Sequence, residues 1–261
     1  MTGDISLRLT FNEYAYLYDK ARPTCPDELI DELIKQTNLN ADSKLLEIGP
    51  GTGQATISLA KRGFGIIAVE IGDNLAEILR AKLKIYPKTN VITGAFENTE
   101  LPAEYFDTIY ASSSFHWIKP ESKFKKTCRI LKPAGFLAII KAQHISGDGD
   151  DFSDATQSIY YKYWGSDTEK PFKLKKLNEV EPAEIDANLF ELIYFKCFPV
   201  TISYSADEFC DLLFTESEKI ALPREKRIKF VNEIWRLIYN KFDNKISRSY
   251  ANSLTIARKI S

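Results

Sequence analysis

From residue 43 to residue 144, short apolar runs alternate with segments whose apolar positions recur at helical spacing. That alternation predicts βα units and a parallel sheet. Five runs read as strands: Lys44 to Gly49, Gly65 to Ile71, Asn90 to Gly94, Phe106 to Ser112 and Gly135 to Ala142. They are dense in Ile, Leu and Val, as strands covered on both faces require. The segments between them carry helix punctuation. Gly63 closes the run after Gly53 as a C′ glycine, Asp73 stands where it can cap "NLAEILRAKLKIY", Pro120 suits a first helical position, and Pro133 to Gly135 ends the run before the fifth strand.

Outside this core the pattern changes. "FNEYAYLYDKAR" and "PDELIDELIKQ" predict two short amphipathic helices ahead of it. Residues 145–190 are polar and aromatic, and "GDGDDFSD" is too acidic and glycine-rich for a core, so the stretch reads as an inserted helical cap. Phe190 to Ser205 is β-branched and aromatic, and Ser205 with Glu208 forms a capping box for "ADEFCDLL". After Pro223, Ile228, Val231, Ile234, Trp235 and Ile238 mark a helix, and "SYANSLTIARK" supplies a last strand. The expectation is a single α/β domain with a mostly parallel seven-stranded sheet flanked by helices: a core at 43–144, the cap at 145–190, and 190–261 completing the sheet.

Composition narrows the classes of function. With 44% hydrophobic and 27% charged residues in 261, the chain has the make-up of an ordinary globular protein able to bury a core. A formal charge of −1 offers no net attraction to nucleic acid or to an anionic membrane. The four cysteines lie far apart with no CxxC pair and there are only two histidines, so neither a zinc site nor a disulfide framework is expected, and a reducing, cytoplasmic setting fits. The N-terminal segment carries acids where a signal peptide would be apolar, and no stretch reaches roughly 18 apolar residues, so neither export nor a membrane span is expected.

The candidate chemistry begins at "LLEIGPGTGQ", Leu45 to Gln54. Gly49, Gly51 and Gly53 follow a strand and precede a helix, where glycines allow a tight turn and leave backbone N–H groups open to a ligand. Gln54 stands where a dinucleotide fingerprint needs its third glycine, and no Gly-Lys-Ser/Thr follows for a phosphate loop. A turn that binds nothing is the alternative. Glu70, at the end of the second strand, is placed to accept both hydroxyls of a ribose, and Ile71 offers an apolar face to a base; a solvated acid at a strand end is the bland alternative.

"LLEIGPGTG", "VEIGDN", "GAFENTELP", "FDTIYASSSFHWI" and "ILKPAGFLAII", in this order, resemble the successive motifs of class I S-adenosylmethionine-dependent methyltransferases, which have a Rossmann-like fold. "YDKARPTCP", "FHW", "TISYSADEF" and "SYANSLTIAR" are similar to the type-11 and trans-aconitate-like small-molecule branch. The resemblance implies that Glu47 and the backbone of Gly49 and Gly51 meet the methionine end of S-adenosylmethionine, that Glu70 holds the ribose, and that Ile71 packs on the adenine. It places the backbone of Ala95 and Phe96, with Glu97, at the adenine edge, and the Ser112 carbonyl near the methionine amine. Many relatives carry Asp where this chain has Ala95, which implies weaker cofactor affinity. The similar proteins fold their N-terminal helices over the site, so Tyr18, Arg22 and Trp117 are candidates for the pocket of a small-molecule methyl acceptor.

A sulfonium already activates its methyl group, so alignment and exclusion of water are the protein's main tasks, and a carboxylate acceptor needs no base. For an acceptor that must lose a proton, His116 is the first candidate base, with His144 behind it; a hydrogen-bonded structural histidine is the alternative for each. Arg22 suits a carboxylate, in the acceptor or in the cofactor, or else a surface ion pair. Two other functions remain open from the residues: a nicotinamide-dependent oxidoreductase, which Gln54 opposes, and a cofactor-binding protein without turnover. Nucleic-acid methylation is not expected, because "ASSSF" stands where adenine-specific enzymes carry an NPPY-type tetrapeptide.

Overall fold

A computed structural model describes residues 5–164 and 173–260. At the N-terminus lie α1 (Ile5–Glu13), α2 (Ala15–Ala21) and α3 (Asp27–Gln36). The alternating core follows as β1 (Lys44–Ile48), α4 (Thr56–Lys61), β2 (Gly65–Glu70), α5 (Asp73–Leu83), β3 (Thr89–Thr93), β4 (Phe106–Ser112), α6 (Pro120–Ile130) and β5 (Leu131–His144). Then come α7 (Asp150–Trp164), β6 (Phe190–Tyr204), α8 (Ala206–Leu213), α9 (Ser217–Ile220), α10 (Arg224–Lys241) and β7 (Ile246–Lys259).

The seven strands form one sheet in the order β3-β2-β1-β4-β5-β7-β6. The first five run parallel, and β7 is antiparallel to both β5 and β6. This is the Rossmann-like, mostly parallel sheet expected from the alternating pattern. Strand alternation divides the core between two faces. Leu45, Ile66, Ala68, Tyr110 and Ile140 face Leu29, Leu33, Leu59 and Leu79 of α3, α4 and α5. Leu46, Ile48, Val69, Ile109 and Ile139 face Phe115, Phe124 and Ile130, the last two on α6. Sequence reversal of the strand order falls between β1 and β4, and there the carboxyl ends of the strands part into a crevice.

Four local expectations are corrected. Asp73 does not cap α5: it is the first helical residue, Gly72 holds the N-cap position, and the cap comes from α1, where Asn12 Oδ1 accepts the N–H groups of Asn74 at 2.7 Å and Leu75 at 3.4 Å. The run from Phe11 to Arg22 is broken at Tyr14 into two helices. The acidic stretch after Gly147 does reach a core, because Asp150 and Asp151 occupy the first turn of α7, suited to the helix dipole, and Phe152 behind them is fully buried against Phe209 and Phe242. Ile228 is exposed while Phe230 fills the inward position of α10. The cap region expected at 145–190 holds α7, which joins α8, α10 and the protruding ends of β6 and β7 in a third apolar cluster; its residues 165–172 lie outside the described ones.

Candidate active site

The glycine loop leaves β1 at the bottom of the crevice. Gly49 and Gly51 have φ of +64° and +60°, which side chains with a Cβ rarely adopt, and a Cβ on Gly49 would lie 2.7 Å from Cβ of Ser114. The N–H groups are not left open as the sequence led us to expect. Gly49 N–H donates to the Val69 carbonyl at 2.9 Å, Gly51 N–H to Glu70 Oε2 at 2.9 Å, and Gly53 N–H to the Pro50 carbonyl at 3.0 Å. These three glycine N–H groups are therefore not offered to an anion.

Two buried acids flank it. Glu70 is 4% exposed and accepts a second N–H, from Gly72, on Oε1 at 2.9 Å; burial raises its pKa, and the two N–H bonds oppose the rise. Each of its oxygens has a second lone pair, so the carboxylate retains capacity for hydroxyl donors. Glu47 on β1 is fully buried, and its Oε2 accepts from Thr56 at 2.5 Å and Tyr110 at 2.8 Å. Its Oε1 has no partner among the described residues. Burial pushes this carboxyl up to about 7, against the two hydroxyl donors and with a smaller contribution from the nearby charge of Glu70. An orphaned acceptor of this kind favours a cation or an N–H donor beside it.

The expected adenine side is held from two directions. The Phe96 ring is part of the core, while the carbonyls of Phe96, Glu97 and Thr99 all accept from Lys126 Nζ of α6, at 2.5, 3.1 and 2.6 Å. The Ala95 carbonyl turns inward to the N–H of Thr99 at 3.0 Å, and Ile71 follows Glu70 half-buried. Glu97 is engaged by Arg8 of α1 through both oxygens, at 2.8 and 3.3 Å, and takes the Lys119 N–H. Desolvation works against its charge, but the Arg8 donors outweigh it and hold the carboxyl below its ordinary range.

On the β4 side, Ser112 Oγ meets Cys25 Sγ at 3.4 Å, and Ser113 adopts φ +53° as the chain turns away from the strand. His116 and Trp117 lie in a short 3₁₀ turn. The His116 ring keeps solvent access, yet desolvation and then the ammonium groups of Lys141 and Lys123 favour its neutral form. Phe11 of α1 joins two of the expected pocket residues, touching Tyr18 and Trp117 edge-on at 6.0 and 5.9 Å between ring centres. Tyr18 in turn covers Gly51, where a Cβ would come within 3.2 Å of its ring. Arg22 sits 5.2 Å over the Tyr18 ring, with Nε donating to Thr215 Oγ1 and Nη2 to the Thr215 carbonyl. An open cavity of about 310 Å³ lies beside the loop, but it touches Gly53, Gln54 and Lys82 rather than the two acids, so we place the chemistry at the crevice.

Sequence reasoning missed Arg8, Asn12, Thr56, Tyr110 and Lys126. Each acts on the site across 9 to 89 positions of sequence. The carboxylates they hold were visible, but the fold alone supplies the partners. Among the described residues no group of three or more metal-ligating side chains occurs, and no helix is long and apolar enough to cross a membrane. The cysteines are free, and burial pushes the Cys25 thiol up to about 11.

The Rossmann-like sheet, the glycine loop, the strand-end acid and the switch-point crevice agree in architecture with the class I methyltransferase resemblance read from the sequence. Residues 46–139 match the family described as Methyltransferase domain. An uncharacterised methyltransferase of Mycobacterium tuberculosis is 30% identical over 134 residues, covering 51% of this chain and 52% of that protein. The chain thus spans about half the length of the curated relatives it matches. Among solved structures, a putative type II methyltransferase from Anaeromyxobacter dehalogenans superposes with a TM-score of 0.60 at 18% identity, over 91% of this chain and 97% of that one. The [4+2]-cyclase SpnF is also similar, with a TM-score of 0.53 at 16% identity over 89% of this chain and 80% of that one. The fold is therefore shared with a protein named for a different reaction.

Proposed function

We propose that the protein moves a methyl group from S-adenosylmethionine to a small organic acid. The observation that carries this reading is the pairing of a glycine loop, its glycine N–H groups bonded internally, with two buried acids at the switch point, one of which has an oxygen with no partner among the described residues. The N–H groups of Gly49, Gly51 and Gly53 are satisfied internally and are not offered to a phosphate, whereas Glu47 Oε1 needs a positively charged or N–H partner. A methionine-like end supplies one. Glu70 would take the ribose hydroxyls, Ile71 the adenine face, and the backbone of 95–97 the adenine edge.

When bound, the cofactor supplies an electrophilic methyl group on a positively charged sulfur. The chain's part is to orient, to exclude water and to hold charge. Tyr18, Phe11 and Trp117 roof the crevice with aromatic surface, and Arg22 keeps Nη1 unused by Thr215, a donor suited to a carboxylate. His116 is the candidate base for an acceptor that must lose a proton. Its preference for the neutral form leaves a lone pair available near pH 7, though a weakly basic one.

Calorimetric titration with S-adenosylhomocysteine tests the cofactor half. Saturable binding is expected, lost or greatly weakened in Glu70→Ala; a flat titration of the wild-type protein overturns the reading. For a His116→Ala variant that still binds, unchanged turnover removes the base and leaves an acceptor that needs none.

A further inference from the structure

A second polar cluster lies farther along the same edge of the sheet. Strand register places it: Glu47 lies beside Tyr110, Ser112 beside Ile140, and His144, four residues on, beside Tyr250 of β7. Arg248, two residues before Tyr250, shares that face. The Tyr250 hydroxyl meets that of Tyr204 at 3.1 Å, and the His144 and Tyr250 rings lie 4.5 Å apart. Arg22 and the Glu216–Lys219 ion pair, at 2.9 Å, act electrostatically on His144.

The bonding of Arg248 determines what this cluster offers. Its Nε and Nη2 approach His144 Nδ1 at 3.2 and 2.8 Å, and its Nη1 donates to Ser153 Oγ at 2.6 Å. A guanidinium keeps its hydrogens, so His144 Nδ1 must be the acceptor, and the neutral ring then carries its proton on Nε2. Burial and the Arg248 charge both favour that neutral ring. The basic nitrogen of His144 is therefore occupied, and Nε2–H is a donor with no partner among the described residues. Nor does Arg248 or Arg22 have a carboxylate as an ion-pair partner among the described residues: Glu216 and Glu218 both pair with Lys219, at 2.9 and 3.3 Å, which leaves Arg22 and Arg248 as the cations of the cluster without a paired carboxylate.

We propose that Arg248 and His144 form an anchoring subsite for a carboxylate of the methyl acceptor. This rests on the methyl-transfer reading above. The spare Arg248 donors and His144 Nε2–H would grip the anion, with the Tyr204 and Tyr250 hydroxyls beside it. An oxygen gripped by a guanidinium loses nucleophilicity, so the anchored carboxylate is not the group that receives the methyl. The acceptor must then carry a second group, which attacks from the Ser112 side of the same face.

The test is equilibrium binding of carboxylate probes to the protein saturated with S-adenosylhomocysteine at fixed ionic strength. The probes are succinate, glutarate and benzoate, each against its uncharged amide. Binding of at least one carboxylate is expected, with its amide silent. Arg248→Gln should weaken it by about tenfold or more and His144→Gln by a few-fold, as loss of charge-assisted bonds implies, while S-adenosylhomocysteine affinity stays within about twofold. The proposal is overturned if no carboxylate binds, if amides bind equally, if both variants bind like the wild type, or if both also lose S-adenosylhomocysteine, which would mark the pair as supports of the fold. Failure of the wild type to bind S-adenosylhomocysteine would instead remove the methyl-transfer reading beneath it.

Discussion

Glu47 is the residue whose chemistry is most sensitive to its surroundings. Its carboxyl is raised by burial to about 7 in the folded chain, from 4.5 for an unburied group. Between those values the folded state binds more protons than the unfolded one, so the stability contributed by protonated Glu47 is present at low pH and lost as pH rises through 7. Ligand binding has the opposite sign. A cationic end requires the ionised form, so the affinity for S-adenosylhomocysteine should rise by roughly tenfold from pH 6 to pH 8 and then level off. Titration calorimetry across that range checks it, and Glu47→Gln should flatten this rise. Gly49 is sensitive for a steric reason. Gly49→Ala combines a φ of +64° with a Cβ driven against Ser114, and should lower stability by about 1–3 kcal/mol, measured by denaturant unfolding.

At the scale of elements, α1 and α6 hold loops that belong to other units. Asn12 caps α5 from a different helix, and its replacement by Ala should cost about 1 kcal/mol, seen as a lower Tm. Lys126→Met leaves three carbonyls of the 96–99 turn without their shared ammonium. That variant should exchange its amides at 97–99 faster and bind S-adenosylhomocysteine several-fold more weakly, while Lys126→Arg recovers part of the loss. These elements also mark what the sequence could disclose. Strands β1, β2 and β4 were legible to within a residue or so because two-sided burial forces continuous apolar runs between turn residues. The cap of α5 was not, since Asp73 is locally the better candidate and only tertiary packing brings Asn12 to Gly72. Phe152 was hidden in the same way, by an acidic neighbourhood that serves the first turn of a helix.

Across the whole molecule, the N-terminal helices clasp the site from several sides. Arg8 grips Glu97, Asn12 meets α5, Tyr18 covers Gly51, Asp19 pairs with Lys82, and Lys20 pairs with Asp211 of α8. Tyr14, between α1 and α2, is the natural break in this clasp. Bound S-adenosylhomocysteine should therefore protect the segment around Tyr14 from proteolysis, and Arg8→Ala should reduce that protection and speed ligand release in stopped-flow measurements. The glycines, Glu47 and Glu70 were visible as candidates because their residue types are unusual at strand ends. The clasp depends on contacts more than thirty positions apart, beyond any local pattern.

The internal bonding of the glycine loop bears on how recognition is achieved. With Gly49, Gly51 and Gly53 already tied to Val69, Glu70 and Pro50, the loop has little freedom left to lose when a ligand arrives. Selection at this loop is then by rigid fit, and a ligand of the wrong shape cannot induce it to adapt.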